Sequence, residues 1–203
     1  MSYVPQGTVY GTLLNFRSEF DAMAPQMNEA PYKAPPKAPI LYVKTANTFS
    51  PSGAQIPVPG RVPQVEIGAT VGLVMKSATE IAGCVLMNDL SVPHASFFRP
   101  PVKFKCLDGF LGIGAEVRAA DPAKLQIEVL VNGEVRQSLR FDALVRDPKR
   151  LLADVAEFMT MREGDVLLLG CDAPRPLATA GDRIELRSDA LGSLVNTLVP
   201  EAA

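Results

Sequence analysis

The feature that most constrains the fold is the dipeptide Asn132-Gly133, which separates two segments of alternating apolar and polar residues. A type I′ turn requires positive φ at both central residues, and Asn and Gly adopt it most readily, so the pair predicts a β-hairpin. Its strands are predicted over residues 125–131 and 134–140. Other β-rich segments are 7–14, 71–75, 81–88, 165–170 and 182–187. The sequence therefore predicts a chain dominated by strands.

One helix is clear between these strands. Asp147 can cap its N-terminus and Pro148 suits its first position, while Gly164 is predicted to end it. Its apolar stripe, expected in the core, consists of Leu151, Leu152, Val155, Phe158, Met159 and Met161. Near the N-terminus, Ser18 followed by Asp21 suggests a weak cap and a short, lid-like helix.

The segment 24–64 is unusually rich in proline, with nine of the 18 prolines in the chain. Because proline lacks the amide donor that a central strand needs, we expect ordered loops around a single strand over residues 39–44. We predict one domain, in which residues 1–64 form an N-terminal arm and lid segment and residues 65–203 form the β-dominated core.

Composition excludes several classes of function. The chain has 20 Lys and Arg against 22 Asp and Glu, a net charge of -2, and no long cationic run, so nucleic acid is not an expected partner. No apolar segment approaches the roughly 18 residues of a membrane helix, so we expect a soluble, cytoplasmic protein without a membrane partner. The three cysteines have no CxxC spacing, which indicates neither a disulfide framework nor a zinc site.

Asn88-Asp89 closes an apolar segment and places a carboxylate at the end of a strand. Metal ligation and an ordinary turn or cap are equally compatible with that position. From the sequence alone, Lys105 is expected on the surface and Asp108-Gly109 in a turn. Strand alternation would direct residues 66, 68 and 70 to one face, where only Glu66 is a carboxylate.

Several of these segments resemble the fumarylacetoacetate hydrolase superfamily. The likeness is strongest to the N-terminal half of its isomerase/decarboxylases of 4-hydroxyphenylacetate degradation, and it covers nearly the whole chain. The segments that carry it are Asn15-Phe16-Arg17-Ser18, Tyr32 to Lys37, Tyr42-Val43-Lys44, Asn88-Asp89-Leu90-Ser91, Ser96 to Pro100, Lys105-Cys106-Leu107-Asp108-Gly109 and Gly164 to Gly170.

The resemblance implies a fold and a chemistry. The fold would be a β-rich α+β, mixed β-sandwich roll with short peripheral helices. Such domains pair, so a homodimer or a hetero-oligomer with a paralogous subunit is expected. In the family, a Glu-x-Glu pair and an Asp hold Mg²⁺ or another divalent ion, which acts as a Lewis acid on small 2-oxo di- or tricarboxylic acids.

Carried over to this chain, the resemblance assigns three kinds of residue. Asp89 would be the metal ligand, the catalytic residues would be Lys105, Asp108 and Glu19, and the substrate-binding residues would be Lys44, Asn88, Ser91 and Arg99. Gly68 and Thr70 stand where the family has its two glutamates, and Glu19 stands where its lid helix has a histidine. The metal is therefore expected to bind weakly or to be supplied by a partner subunit.

Three functions stay open at this stage. The first is a subunit of the homoprotocatechuate-pathway enzyme, a lyase (decarboxylase) and isomerase that decarboxylates 5-carboxymethyl-2-oxohex-3-ene-1,7-dioate and isomerises 2-hydroxyhepta-2,4-dienedioate. The second is a non-catalytic structural subunit that completes a metal-bearing paralogous partner. The third is an acylpyruvate-type hydrolase of carbon-carbon bonds, which would need the lid histidine and the glutamate pair that this chain lacks.

Overall fold

Strands form most of the structure, a computed structural model that describes residues 2–94, 96, 98 and 100–202. The strands are β1 (Val9–Leu13), β2 (Ile40–Lys44), β3 (Phe49–Pro51), β4 (Gln55–Val58), β5 (Val65–Glu66), β6 (Ala69–Met75), β7 (Ile81–Asp89), β8 (Leu111–Ile113), β9 (Gln126–Val131), β10 (Glu134–Arg140), β11 (Val166–Leu168), β12 (Leu177–Ala178), β13 (Arg183–Ser188) and β14 (Gly192–Pro200). The α-helices are α1 (Arg17–Met23), α2 (Val102–Lys105) and α3 (Pro148–Ala156). Single 3₁₀ turns cover Ala24–Gln26, Ala46–Thr48 and Pro122–Lys124.

The strands form two main sheets. The order of the seven-stranded sheet is β2-β1-β11-β6-β7-β8-β3, and that of the five-stranded sheet is β10-β9-β13-β14-β4. A small two-stranded sheet pairs β12 with β5. At the centre of the large sheet β6 and β7 are antiparallel, with Ala69 opposite Asn88. The β-rich fold with short helices agrees with the predicted class.

The central strand β6 is buried at every position because both faces of the large sheet are covered. Val71 and Leu73 pack in the main core against residues of the five-stranded sheet such as Val129 and Leu186. Val74, on the opposite face, packs in a second cluster with Val166. Complete burial of each such aliphatic side chain contributes about 1.5–3 kcal/mol, so this sandwich supplies the rigid support of the site.

The predicted hairpin turn and the predicted start of α3 are confirmed. Asn132 and Gly133 have φ values of 52° and 85°, and Val131 pairs with Glu134 on either side of the turn. The Asp147 carboxylate accepts a hydrogen bond of 2.8 Å from the amide of Arg150 and caps α3.

The predicted end of α3 is wrong. The helix ends at Ala156, and Phe158 is 54% exposed instead of buried. Met161 does reach the core, but from the irregular segment that leads to β11. The apolar stripe thus continued beyond the helix because the connecting chain also packs against the sandwich. No helix among the described residues is long and apolar enough to cross a membrane.

The first 64 residues contain more strands than the sequence indicated. Besides β2, they contribute β3 at one edge of the large sheet and β4 at one edge of the five-stranded sheet. Pro51 and Pro57 lie in these strands, where an edge position tolerates a missing amide donor. The predicted cap at Ser18 is also wrong, since α1 begins at Arg17 without a side-chain cap.

Candidate active site

The candidate site is centred on Asp89, the last residue of β7, whose side chain is completely buried. The ammonium nitrogen Nζ of Lys105 lies 2.7 Å from its Oδ2, and Nζ of Lys44 lies 3.0 Å from its Oδ1. The hydroxyl of Tyr42 donates a hydrogen bond to Oδ2 as well. Asp89 therefore has two tethered cations as its counter-charges.

Both lysines are buried, contrary to the surface position expected for Lys105. Lys44 ends β2, and its ammonium donates to the carbonyl oxygens of Phe110, at 2.7 Å, and of Lys105. Its contact with Asp89 Oδ1 is electrostatic, since that oxygen receives no hydrogen bond from the described residues. Lys105 ends α2, with Nζ 4.8 Å from the centroid of the Tyr42 ring. The cationic chain ends are thus anchored by main-chain oxygens and an aromatic face.

The electrostatics of this cluster fix the charge of its members. Burial favours the neutral acid, but the adjacent Lys105 and Lys44 outweigh it and hold the pKa of Asp89 well below its usual range. Burial lowers the pKa of Lys44, while Asp89 opposes that change. Burial and, secondly, the charge of Asp89 raise the pKa of Cys171 to about 12. At neutral pH Asp89 is therefore ionised, and Cys171, whose Sγ lies 3.9 Å from Asp89 Oδ2, is a neutral thiol.

Gly68, one of the two positions where the resemblance expects a glutamate, lies against the backbone of Asp89 and leaves no room for a larger side chain. A Cβ atom on Gly68 would lie 2.1 Å from the carbonyl oxygen of Asp89 and 3.0 Å from Sγ of Cys171. The hydroxyl of Thr70, fully buried, donates to the carbonyl oxygen of Gly170 at 2.6 Å. The space is filled by backbone and by a neutral thiol.

These residues do not fit the divalent ion that the resemblance implies. A hard cation requires several oxygen ligands, chiefly carboxylates, and the described part of the chain contains no group of three or more acidic, histidine or cysteine residues arranged to hold a metal. Asp89 is already paired with Lys44 and Lys105, so a metal there would face both ammonium groups at short range. The donor set is that of an internal ion-pair cluster.

A second buried ion-pair system joins the lid helix α1 to the sheet. Arg175 contacts the carboxylate of Glu19 through one terminal nitrogen and that of Glu66 through the other, the latter at 3.1 Å. The second oxygen of Glu19 accepts a hydrogen bond of 2.6 Å from the amide of Leu14. Burial raises the pKa of Glu19, while Arg175 and the Leu14 amide oppose that change. Glu19, to which the resemblance assigns a catalytic role, is here a buried contact between α1 and Arg175.

Asn88 and Ser91 are both buried near Asp89. The side-chain oxygen of Asn88 accepts from the amide of Gly68 at 3.2 Å, while its nitrogen has no partner among the described residues. The Ser91 hydroxyl donates to the carbonyl oxygen of Val92 at 3.1 Å and lies 3.5 Å from Nδ1 of His94. Both side chains are therefore directed chiefly at nearby backbone.

Asp108 lies apart from this cluster. It is exposed, and its Oδ1 accepts a hydrogen bond of 2.6 Å from Asn47. Lys105, three positions earlier, points into the protein, whereas Asp108 follows it in a surface turn. Arg99, the remaining predicted substrate contact, lies outside the described residues.

Three members of the site were not identified from sequence: Tyr42, Cys171 and Arg175. Arg175 stands alone in the Pro-rich segment Ala173-Pro174-Arg175-Pro176, without a pattern that marks it as functional. The departure at Gly170-Cys171-Asp172 from the family's Gly-Thr-Pro was the one available signal near it.

Comparison with known proteins identifies the family. The family model described as "Fumarylacetoacetate (FAA) hydrolase C-terminal" matches residues 8–199. The chain is 37% identical over 206 residues to the 4-hydroxyphenylacetate degradation bifunctional isomerase/decarboxylase of Escherichia coli, a match that covers 97% of this chain and 48% of that protein. For the protein of the same description from Salmonella dublin the identity is 35%, with the same coverage. The chain thus spans about half the length of these curated relatives.

Solved structures share the fold. The 5-carboxymethyl-2-hydroxymuconate delta-isomerase of Mycobacterium smegmatis superposes with a TM-score of 0.81 at 22% identity, over 100% of this chain and 82% of that chain. The maleylpyruvate hydrolase of Sphingobium sp. SYK-6, solved with manganese(II) and pyruvate, gives 0.79 at 19% identity, over 99% of this chain and 74% of that chain. These structures show the shared fold, while the family model and the Escherichia coli relative show that the chain belongs to the fumarylacetoacetate hydrolase family.

Proposed function

We propose that the chain is the metal-free subunit or half of an isomerase/decarboxylase of 4-hydroxyphenylacetate (homoprotocatechuate) degradation. The assembly would decarboxylate 5-carboxymethyl-2-oxohex-3-ene-1,7-dioate and isomerise the resulting 2-hydroxyhepta-2,4-dienedioate. The metal and the acid/base groups would come from a second family domain, on the same or on another polypeptide. This chain would complete that domain's site and stabilise the assembly.

The main support for this proposal is that Asp89 is already paired with Lys44 and Lys105. Loss of carbon dioxide from C5 of this substrate leaves an electron pair that is delocalised through the C3–C4 double bond onto the 2-oxo oxygen, and the resulting dienolate needs positive charge close to that oxygen. Both ammonium groups at the site are already paired with Asp89, and the Cβ space of Gly68 is closed by the Asp89 carbonyl. The residues of this chain are therefore better suited to supporting the active site of a neighbouring domain than to catalysing the decarboxylation themselves.

The length of the relatives supports a two-domain assembly. The bifunctional isomerase/decarboxylase of Escherichia coli is about twice as long as the region matched, since this chain covers 48% of it. A metal-bearing domain beside a metal-free one would use the same β-sandwich twice, with the chemistry confined to the domain that retains its carboxylates.

A reconstitution assay tests the proposal. With Mg²⁺ present, we expect this chain alone to cause neither loss of the enone absorbance of the substrate nor release of carbon dioxide. Addition of a family domain that carries the Glu-x-Glu pair should give turnover above that of the domain alone. Mn²⁺ titration followed by electron paramagnetic resonance should show no site in this chain tighter than about millimolar.

The matched control is a partner domain in which the Glu-x-Glu pair is changed to Gln-x-Gln, and it should abolish turnover in the mixture. Turnover by this chain alone, or a Mn²⁺ site of micromolar affinity within it, would refute the proposed division of labour.

A further inference from the structure

Arg175 is a buried cation with one hydrogen-bond donor that has no acceptor among the described residues. Its side chain is 9% exposed, and its two terminal nitrogens contact Glu19 and Glu66. Its Nε–H group is buried and has no hydrogen-bond partner among the described residues. A buried donor without an acceptor lowers the stability of the folded protein. Guanidinium groups can bind a planar carboxylate through two parallel hydrogen bonds. The Nε–H group is therefore a donor that a carboxylate ligand could use if Glu19 moved away from Arg175.

The two carboxylates that contact Arg175 differ in how they are held. Glu66 belongs to β5, whose backbone pairs with Leu177 and also bridges to Ser91. Glu19 belongs to α1, a helix of seven residues with no side-chain cap at its N-terminus. Such a short helix is not stable by itself and depends on its contacts. Glu19 is therefore the partner that can leave.

The helix α1 has other contacts as well. The Ser18 hydroxyl donates to the carboxylate of Asp172 and accepts from the Ala173 amide, and the Arg17 amide donates to the carbonyl oxygen of Ala143. Phe20 and Met23 pack in a small apolar cluster. The groups that act on the charge of Glu19 are Arg175, the Leu14 amide, Lys105 and Asp89. Three of these four favour a negative charge in the place that the Glu19 carboxylate occupies. A ligand carboxylate placed there would meet the same donors.

We propose that Arg175 is an anion-recognition residue for small dicarboxylates, and that Glu19 of the lid helix covers it as an intramolecular competitor which the ligand displaces. The ligand class rests on the proposed function, whereas the site rests on the Glu19–Arg175–Glu66 contacts and the free Nε–H group. Lys105, which acts on Glu19 electrostatically, would face the same ligand.

Binding of a stable probe tests this without any turnover. Isothermal titration of the chain with 2-oxoglutarate near neutral pH should give binding that its uncharged diester does not show. Glu19→Gln keeps the shape and an acceptor for the Leu14 amide but removes the competing charge, so the affinity should rise by about threefold or more. Asp21→Asn, an exposed change on the same helix, is the matched control and should leave the affinity as in the original chain.

Changes at Arg175 should act in the opposite direction. Arg175→Lys retains the charge but loses the planar fork, and should weaken 2-oxoglutarate binding by about tenfold or more. Hydrogen exchange of the α1 amides should become faster when the probe is bound, because the probe displaces Glu19. A purely structural ion pair predicts the reverse, namely slower or unchanged exchange.

Three binding results would overturn the proposal. The first is an affinity for 2-oxoglutarate that Glu19→Gln does not raise above the Asp21→Asn value, and the second is no binding at all at millimolar probe. The third is an unchanged affinity in Arg175→Lys. None of these results bears on the reconstitution assay, so this inference and the proposed function fail or stand separately.

Discussion

Replacement of Asp89 by asparagine is expected to lower the free energy of unfolding by about 3–5 kcal/mol, as when one partner of a buried ion pair is removed. The ammonium groups of Lys44 and Lys105 would remain buried without their counter-charge, while the carbonyl oxygens of Phe110 and Lys105 would still hold the Lys44 ammonium in place. Urea denaturation followed by circular dichroism measures the difference in the free energy of unfolding between the original chain and Asp89→Asn.

Exposed Asp108 provides the control for this experiment. Asp108→Asn removes the same charge three positions after Lys105, and should change the free energy of unfolding by less than about 0.5 kcal/mol. A loss below about 1 kcal/mol in Asp89→Asn would show that Asp89 is not the counter-ion that stabilises the cluster.

The pH dependence of the same difference follows from the lowered pKa of Asp89. A carboxyl group whose pKa is lower in the folded state stabilises the protein above its unfolded pKa, about 3.9 for Asp, and loses that stabilisation as the pH falls through the folded pKa. The difference in the free energy of unfolding between the original chain and Asp89→Asn should therefore be constant near neutral pH. It should become smaller only in acid, below about pH 4.

The elements that sequence predicted well are those specified by adjacent residues. The Asn132-Gly133 turn depends on the backbone preferences of two residues, and the start of α3 depends on Asp147 and Pro148. The end of α3 depends instead on where the chain must turn back to β11. Edge strands such as β4 were missed because the proline content argued against strands, although an edge position relieves that constraint.

The sequence drew attention to three of the residues that cluster around Asp89, but it did not predict their contacts. Lys44, Asp89 and Lys105 had been selected, yet nothing in the sequence indicated that they bind one another. Lys44 and Asp89 are 45 positions apart, and only the meeting of β2, β7 and α2 brings the charges together. A sequence pattern records residue types at spacings, whereas the neutralisation of Asp89 depends on tertiary packing.

The contacts of Arg175 were also impossible to predict from the sequence, because its partners are even further away along the chain. Its partners Glu19 and Glu66 lie 156 and 109 positions away, on a helix and a strand whose contact no sequence pattern predicts. Glu19 was selected from its place in the lid helix, where the family has an acid/base group. In the structure Glu19 is a buried ion-pair partner of Arg175, a contact that its position in the motif did not predict.

Gly68→Ala is expected to destabilise the protein by about 2 kcal/mol or more, because overpacking a filled site costs about 1–3 kcal/mol and sometimes exceeds that. The added Cβ would lie 2.1 Å from the Asp89 carbonyl oxygen, a backbone atom, so β6 and β7 would have to separate locally. Alanine also reduces the entropy of the unfolded chain, but that gain is only about 0.4–1 kcal/mol and does not offset the clash. Thermal and urea unfolding should both record the loss.

Gly60→Ala is the matched control, since a Cβ there would meet nothing within 4 Å and the residue has no positive φ. It should be neutral or stabilising by up to about 1 kcal/mol, from the entropy gain alone. If Gly68→Ala behaved like Gly60→Ala, the strand at Gly68 would have room to move, and a glutamate could be reintroduced beside Asp89. The expected loss means instead that a metal site cannot be restored by side-chain replacement alone. The contact between Gly68 and the Asp89 carbonyl would then oppose a divalent-ion site here as much as the lack of a metal-binding group among the described residues does.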